Sequence, residues 1–341
     1  QAVVVNSGNA NACTGDLGKE HVLKTAEKTA ALLGLHKEDI LVSSTGVIGV
    51  PLPVEAVLSG VEALVENLGT DDAHADAAAQ GIITTDLRTK TIAIEIEIDG
   101  KIVHLGGMAK GSGMICPNMA TMLSYVTTDA AIEAECLQTM LKKITQDTYN
   151  MMSVDGDMST NDTVIVMANG EAGNTEITND QAGSTNFEMF REALYYVNEY
   201  LAKAIIRDGE GATKFIEVEI SGAATKEDAQ ILAKAVIKSS LVKTAFFGED
   251  ANWGRVLSSI GASGVCFDPL KVSLVFSSDG GMLTLLNEGV PIPFNEDEAK
   301  KVLSEKELTV TIVLKEGEAK ALSWGCDLSY DYVKINGDYR T

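Results

Sequence analysis

The isoleucines at positions 92, 94, 96 and 98 constrain this chain more than any other feature. They alternate with Ala93, Glu95 and Glu97, so one face of the segment is apolar and the other largely polar. That is the period-two mark of a strand buried on one side. Asp99-Gly100 then offers a tight turn, and Ile102 to Leu105 returns as the second arm of a hairpin. The same clean alternation recurs at Leu308, Val310, Ile312 and Leu314. Short strands, some of them paired in hairpins, with helices between them, favour layered α+β architecture over a doubly wound parallel sheet.

Helical spacing appears at Asp16 to Leu33, with a Gly34 stop, and at Pro53 to Leu68, with proline at the start and Gly69 at the end. Ala131 to Thr145, Glu188 to Ile206 and Glu227 to Lys238 read as further helices. Ile40 to Ser43, Met122 to Val126, Asp162 to Ala168 and Phe215 to Ile220 read as strands. From Lys271 onward the chain is strand-rich, with one helix near Glu296 to Leu303. The glycine-rich run Gly106 to Gly113 predicts neither a stable helix nor a central strand. A boundary falls near Asp208 to Gly211, dividing the chain into 1–207 and 208–341. The chain opens on Gln1, and Ala2 to Val5 already has mid-sheet character, so a preceding segment is expected.

Composition and charge narrow the function. The 341 residues carry a net charge of −22, which repels nucleic-acid phosphates and anionic lipid. Neither partner is expected, and no apolar run is long enough to span a membrane. The five cysteines, Cys13, Cys116, Cys136, Cys266 and Cys326, have no CxxC spacing, which suggests a reducing compartment. No metal site is expected; Asp155-Gly156-Asp157 reads as a turn rather than a ligand set. Phosphate-cradling loops of the usual spacing are absent.

Only four histidines occur, at 21, 36, 74 and 104, and each reads as a surface or packed imidazole. Without histidine, a hydroxyl nucleophile needs another base. A free α-amino group on the same residue can serve, with a pKa of about 7.7–8.0. That base exists only where the chain is cut immediately before a Ser or Thr. The candidate is the stretch Lys110 to Leu123, where Pro117, Asn118, Met119 and Ala120 lead into Thr121 and an apolar strand. On pattern alone an ordinary glycine-rich loop remains the better reading. Ser44-Thr45-Gly46 likewise reads as a plain strand-to-loop turn.

This stretch resembles the cleavage segment of the ornithine acetyltransferase (glutamate N-acetyltransferase) family. Matching stretches are Val4 to Ala12, Ser44 to Gly49, Arg207 to Lys214, Gly248 to Arg255 and Asp331 to Asn336 with Tyr339 to Thr341. Together with the cleavage segment they run in order over nearly the whole chain. The resemblance implies an N-terminal-nucleophile-like layered α/β sandwich with a smaller C-terminal α+β region. It implies self-cleavage between Ala120 and Thr121 into an α chain (1–120) and a β chain (from 121), which stay associated and assemble into a heterotetramer. Thr121 would be the nucleophile, carrying the acetyl group from N2-acetylornithine to glutamate in a ping-pong reaction. Thr45 and Gly46 would form the oxyanion hole. Thr84 (with Thr85 a close competitor), Lys110, Thr121, Glu210, Asn336 and the last residue, Thr341, would bind substrate. Asn252 and Trp253 are expected to be structural. No cofactor is implied, with acetyl-CoA a second candidate donor, and the setting is cytoplasmic arginine biosynthesis. The rivals are an amidohydrolase or aminopeptidase using the same nucleophile with water, and an uncut binding or assembly protein.

Overall fold

The computed structural model describes residues 1–116 and 122–338. Strand β1 (Ala2–Asn9) is followed by helix α1 (Gly15–Leu33) and then β2 (Ile40–Val47), which pairs parallel to β1 from Ala2↔Ile40 to Gly8↔Gly46. Helix α1 stops at Gly34, whose φ of 70° is the left-handed conformation common just past a helix end. Helices α2 (Val54–Glu66) and α3 (Asp72–Gly81) lead into the hairpin of β3 (Lys90–Ile98) and β4 (Lys101–Lys110). Asp99 and Gly100, with φ of 52° and 71°, supply the two positive φ angles of a tight hairpin turn.

Strand β5 (Leu123–Thr128) continues the sheet antiparallel to β4. Helix α4 (Ala134–Asp147), the short β6 (Met152–Ser153), β7 (Thr163–Ala168) and the long α5 (Thr185–Arg207) follow. Strand β7 closes a four-stranded sheet of order β3-β4-β5-β7, pairing parallel to β5. Next come β8 (Phe215–Ala223), α6 (Lys226–Lys238), α7 (Ser240–Phe247) and α8 (Trp253–Gly261). The rest is β9 (Ser273–Ser278), β10 (Gly281–Asn287), β11 (Val290–Pro291), α9 (Glu296–Leu303), β12 (Glu307–Val313), β13 (Ala319–Cys326) and α10 (Tyr330–Asp338). A seven-stranded sheet of order β11-β10-β9-β12-β8-β13-β6 results, in which β6 joins strands from the far end of the chain.

The layers follow from alternation. Ile92, Ile94, Ile96 and Ile98 of β3, with Val103 and Leu105 of β4, pack with Phe190, Leu194, Val197, Leu201 and Ile205 of α5. Phe215 and Trp324 of the larger sheet belong to the same core, so α5 sits between the two sheets. Ile216, Val218 and Ile220, on the opposite face of β8, pack with Leu232, Ala233 and Val236 of α6 in a second core. On the outer face of the smaller sheet, Leu123, Tyr125, Met108 and Ile165 meet Val3 and Val5 of β1. The layered α/β expectation is borne out, with sheets in place of a single doubly wound one.

Two expectations need correction. The glycine run is not all loop: Gly106 to Lys110 is the end of β4, an interior strand paired on both sides. Gly107 is there because of packing. A Cβ on it would lie 3.0 Å from Leu201 Cδ1 and 3.1 Å from Val197 Cγ1, so its missing side chain lets α5 approach the sheet. The strand-rich tail also carries more than one helix. Helix α10 buries none of its described residues, so it has no apolar stripe for a periodicity reading to detect.

Candidate functional site

Where β4 ends and β5 and β7 begin, the layers part to leave a cleft of about 330 Å³. Thr45 and Gly46 reach it from the end of β2, and Thr84 and Thr85 from the segment before β3. Lys110 comes from the last position of β4, and Glu210 from the turn after α5. Asn336 and Tyr332 enter from α10, and Met122, Asp155 and Asp162 also line the cleft. Six residues expected at the site, Thr45, Gly46, Thr84, Lys110, Glu210 and Asn336, therefore stand together, although they span nearly 300 positions of sequence. Ala120, Thr121 and Thr341 lie outside the described residues.

Gly46 is required by its backbone. Its φ is 128°, and a Cβ there would fall 2.3 Å from the Gly8 carbonyl carbon of the paired strand. The adjoining Thr45 accepts a hydrogen bond of 3.4 Å from the Lys110 ammonium, which donates to Thr84 Oγ1 at 3.0 Å as well. With its oxygen accepting from Lys110, the Thr45 hydroxyl keeps its proton for an acceptor in the cleft. Both Thr84 and Thr85 line the cleft, but Thr85 Oγ1 is engaged with Ser112 Oγ at 2.7 Å. Thr84 is the one whose hydroxyl meets Lys110.

Lys110 is only 8 % exposed. Burial pushes its ammonium below the usual lysine range, while Asp86 pulls the other way. Asp86 itself would be raised by burial, but the charges of Lys90 and Lys110 and the Gly111 amide hold its carboxyl below the ordinary value. The Asp86 carboxylate accepts from Gly111 N at 2.7 Å and from Lys90 Nζ at 2.6 Å. Lys90 also donates to Asp208 at 2.6 Å, tying the start of β3 to the end of α5. Glu210 accepts from Asn336 Nδ2 at 2.8 Å, which anchors α10 over the cleft. A Cβ on Gly113 would lie 2.2 Å from a Glu210 carboxylate oxygen, so that glycine makes room for the acid.

The profile of the ArgJ family matches residues 1–341, the full length. The chain belongs to the ArgJ family. It is 53 % identical over 341 residues to the arginine biosynthesis bifunctional protein ArgJ of Caldanaerobacter subterraneus, covering all of this chain and 83 % of that protein. It is 50 % identical over 341 residues to the protein of the same description from Thermotoga neapolitana, covering all of this chain and 84 % of the relative. The crystal structure of arginine biosynthesis bifunctional protein argJ from Bacillus halodurans superposes with a TM-score of 0.61 at 44 % identity, covering 64 % of this chain and all of that one. Membership bears out the resemblance drawn from the motifs, and with it the expectation of an enzyme.

Two further stretches singled out in the sequence hold the fold together. Asn252 accepts from Arg255 N and caps α8. The Asp155 carboxylate of Asp155-Gly156-Asp157 accepts from the amides of Met114, Ile115 and Asp157 at 2.6, 2.9 and 3.2 Å, as a loop-fixing turn acid does. Burial nevertheless raises its carboxyl above the ordinary value. No histidine lines the cleft among the described residues. His74 and His104 instead pair with Asp71 and Asp129 at their own surface positions. Sequence reasoning missed Asp155, Asp162 and Tyr332 as lining residues. Asp155 reads only as a turn acid and Tyr332 only as part of the C-terminal matching stretch, while Asp162 sits in no motif at all.

Proposed function

We propose that this chain is a glutamate N-acetyltransferase (ornithine acetyltransferase) of arginine biosynthesis. It cuts itself between Ala120 and Thr121, then moves an acetyl group from N2-acetylornithine to glutamate through an acetyl-Thr121 ester. The observation that carries this reading is the convergence of Thr45, Gly46, Thr84, Lys110, Glu210 and Asn336 on one cleft that Met122, the neighbour of Thr121, also lines.

In this reading Thr121 Oγ attacks the acetyl carbonyl while its own freed amine takes the hydroxyl proton. The Thr45 hydroxyl and the Gly46 N–H donate to the oxyanion, a contribution worth ~10²–10³ in rate per donor. Lys110 pairs with a substrate carboxylate, Thr84 supplies a hydroxyl contact, and Glu210, held by Asn336, receives an ornithine ammonium. Thr341 is also a substrate contact in this reading. The relatives' shared description as arginine biosynthesis proteins supports the pathway. The reading includes no bound cofactor, acetyl-CoA as a second donor, a heterotetramer of two α and two β chains, and a cytoplasmic setting. Among the described residues no helix is long and apolar enough to cross a membrane.

Intact mass after exposure to acetylornithine tests cleavage and acetylation together. The expected result is two fragments, the heavier bearing one acetyl group, which glutamate removes. Acetate release that is indifferent to glutamate points to a hydrolase. A single full-length, unmodified mass points to an uncut binding protein. Thr121→Ala is expected to stay uncut and inactive.

A further inference from the structure

Asp162 is a buried carboxylate of the cleft that the reaction as described leaves unused and that no side chain among the described residues satisfies. Neither of its oxygens is open to solvent, and no side chain among the described residues donates to either; only the Met122 backbone amide comes close enough to pull its carboxyl down. The other cleft acids differ: Asp155 accepts from backbone amides, and Glu210 from Asn336. A buried carboxylate with so little hydrogen bonding is costly to ionise.

Its place is set by the sheet. Strands β5 and β7 pair in parallel with Leu123 beside Thr163, and Thr163 N donates to Met122 O at 2.8 Å. Asp162 therefore stands alongside Met122, one peptide from Thr121 in sequence, and both line the cleft.

Acetyl transfer between two amines needs a proton at the substrate nitrogen. The departing nitrogen must gain one as the amide C–N bond breaks, and the entering amine must give one up as the new bond forms. The Thr121 amine is occupied with the Thr121 hydroxyl proton. We propose that Asp162 is the catalytic residue that exchanges a proton with the substrate amine. The inference rests on the proposed acetyl transfer.

In the first half-reaction the acetyl carbon bonds to Oγ and releases the nitrogen, which takes the Asp162 carboxyl proton and leaves as neutral ornithine. Asp162 is then a carboxylate. The entering glutamate sheds one proton to solvent. As its nitrogen bonds to the acetyl carbon it passes a second to Asp162, and Oγ leaves with the proton held on the Thr121 amine. Both groups return to their starting states.

Burial pushes the Asp162 carboxyl up to about 8, with the Lys110 charge pulling down. An acid that titrates near the working pH serves this exchange better than an ordinary carboxylate. The charged and titratable groups around it on the cleft side are Lys110 of β4, Asp155 and Asp157 of its own loop, Glu210 after α5 and Tyr332 of α10. On its other side, across a second cavity, stand Tyr149 with Lys142 of α4, and Glu227 and Lys234 of α6. Lys110 is the neighbour whose charge moves it.

The test separates amide from ester donors, using Asp162→Asn and the full cleaved enzyme. Acetyl-Thr121 formation is followed by mass with acetylornithine, and by the burst of p-nitrophenolate with p-nitrophenyl acetate, whose leaving group needs no proton. Acetylation by acetylornithine is expected to fall ~10²–10⁴-fold, while the ester burst stays within a few-fold of wild type. The wild-type decline in amide acetylation above about pH 8 should vanish in the variant. Equal loss with both donors, no loss with either, or a rise in KM for acetylornithine alone overturns the proposal. Should Asp162→Asn not fold, Asp162→Glu carries the same comparison, because it moves the carboxyl by one methylene; parallel changes with both donors overturn it. Failure of the wild-type enzyme to form acetyl-Thr121 from either donor would instead reject the proposed function.

Discussion

Lys90 shows how much of the site depends on residues that never face it. It is 3 % exposed and holds two carboxylates, Asp86 and Asp208, at 2.6 Å each. Asp86 in turn fixes the Gly111 amide beside Lys110. Lys90→Met would leave two buried charges without their cation and is expected to cost about 3–5 kcal/mol, read by urea unfolding. A loss under about 1 kcal/mol would mean that the two acids simply protonate or hydrate. Asp162 makes the opposite prediction. Its carboxyl is raised in the fold, so the folded state keeps a proton that the unfolded chain releases near the ordinary carboxylate pKa. Its contribution is most favourable below that ordinary value and is lost as pH rises toward about 8. Asp162→Asn should therefore melt higher than wild type at pH 8, with little difference at pH 4. A gain equal at both pH values would rule out titration as its cause. The sequence made Lys110 and Glu210 legible because they sit in family motifs. It hid the Lys90–Asp208 pair, 118 positions apart, and Asp162, because burial and the lack of a side-chain donor are properties of the fold and not of spacing.

At the scale of elements, the hairpin, α1 and α5 were legible because each carries a periodic apolar face and a turn or cap at its end. The glycine run misled because glycine in a strand usually weakens it. Here two glycines answer different demands. Gly107 permits the contact of β4 with α5, while Gly46 lets β2 lie against the Gly8 backbone of β1 where it lines the cleft. Gly107→Val would overpack that contact and is expected to cost about 1–3 kcal/mol, with acetyl transfer per folded molecule nearly unchanged. In Gly46→Ala the new Cβ would press on the Gly8 backbone, which cannot rotate away as a side chain can. Both stability and the rate of Thr121 acetylation should fall, the latter by ~10²–10³ as the amide shifts from the oxyanion. Stopped-flow acetylation beside thermal melts separates the two. A Gly46→Ala protein that acetylates at the wild-type rate would remove this amide from the oxyanion site.

Across the whole molecule, a cut before Thr121 would fall between two strands that are partners. Residues before the cut supply β3 and β4, and residues after it supply β5 and β7 of the same sheet. The β4–β5 register runs from Leu105↔Thr128 to Lys110↔Leu123. The α5 core closes over β3 and β4 from the other half. The segment just before the cut is tied across as well: Val154 N donates to Ile115 O at 2.7 Å and Glu210 N to Ser112 O at 2.8 Å. Cutting one peptide bond leaves all of these in place, and the cleft draws Thr45, Thr84 and Lys110 from one half and Glu210 and Asn336 from the other. The fragments are therefore expected to elute as a single species under native conditions and to part only in denaturant. Neither should acetylate alone, because each lacks half of the substrate contacts. Gel filtration of the cleaved protein, with each peak run on a denaturing gel, decides this. Fragments that separate without denaturant would show that the sheet does not hold across the cut, and the cleft could not then be the site of a lasting two-chain enzyme.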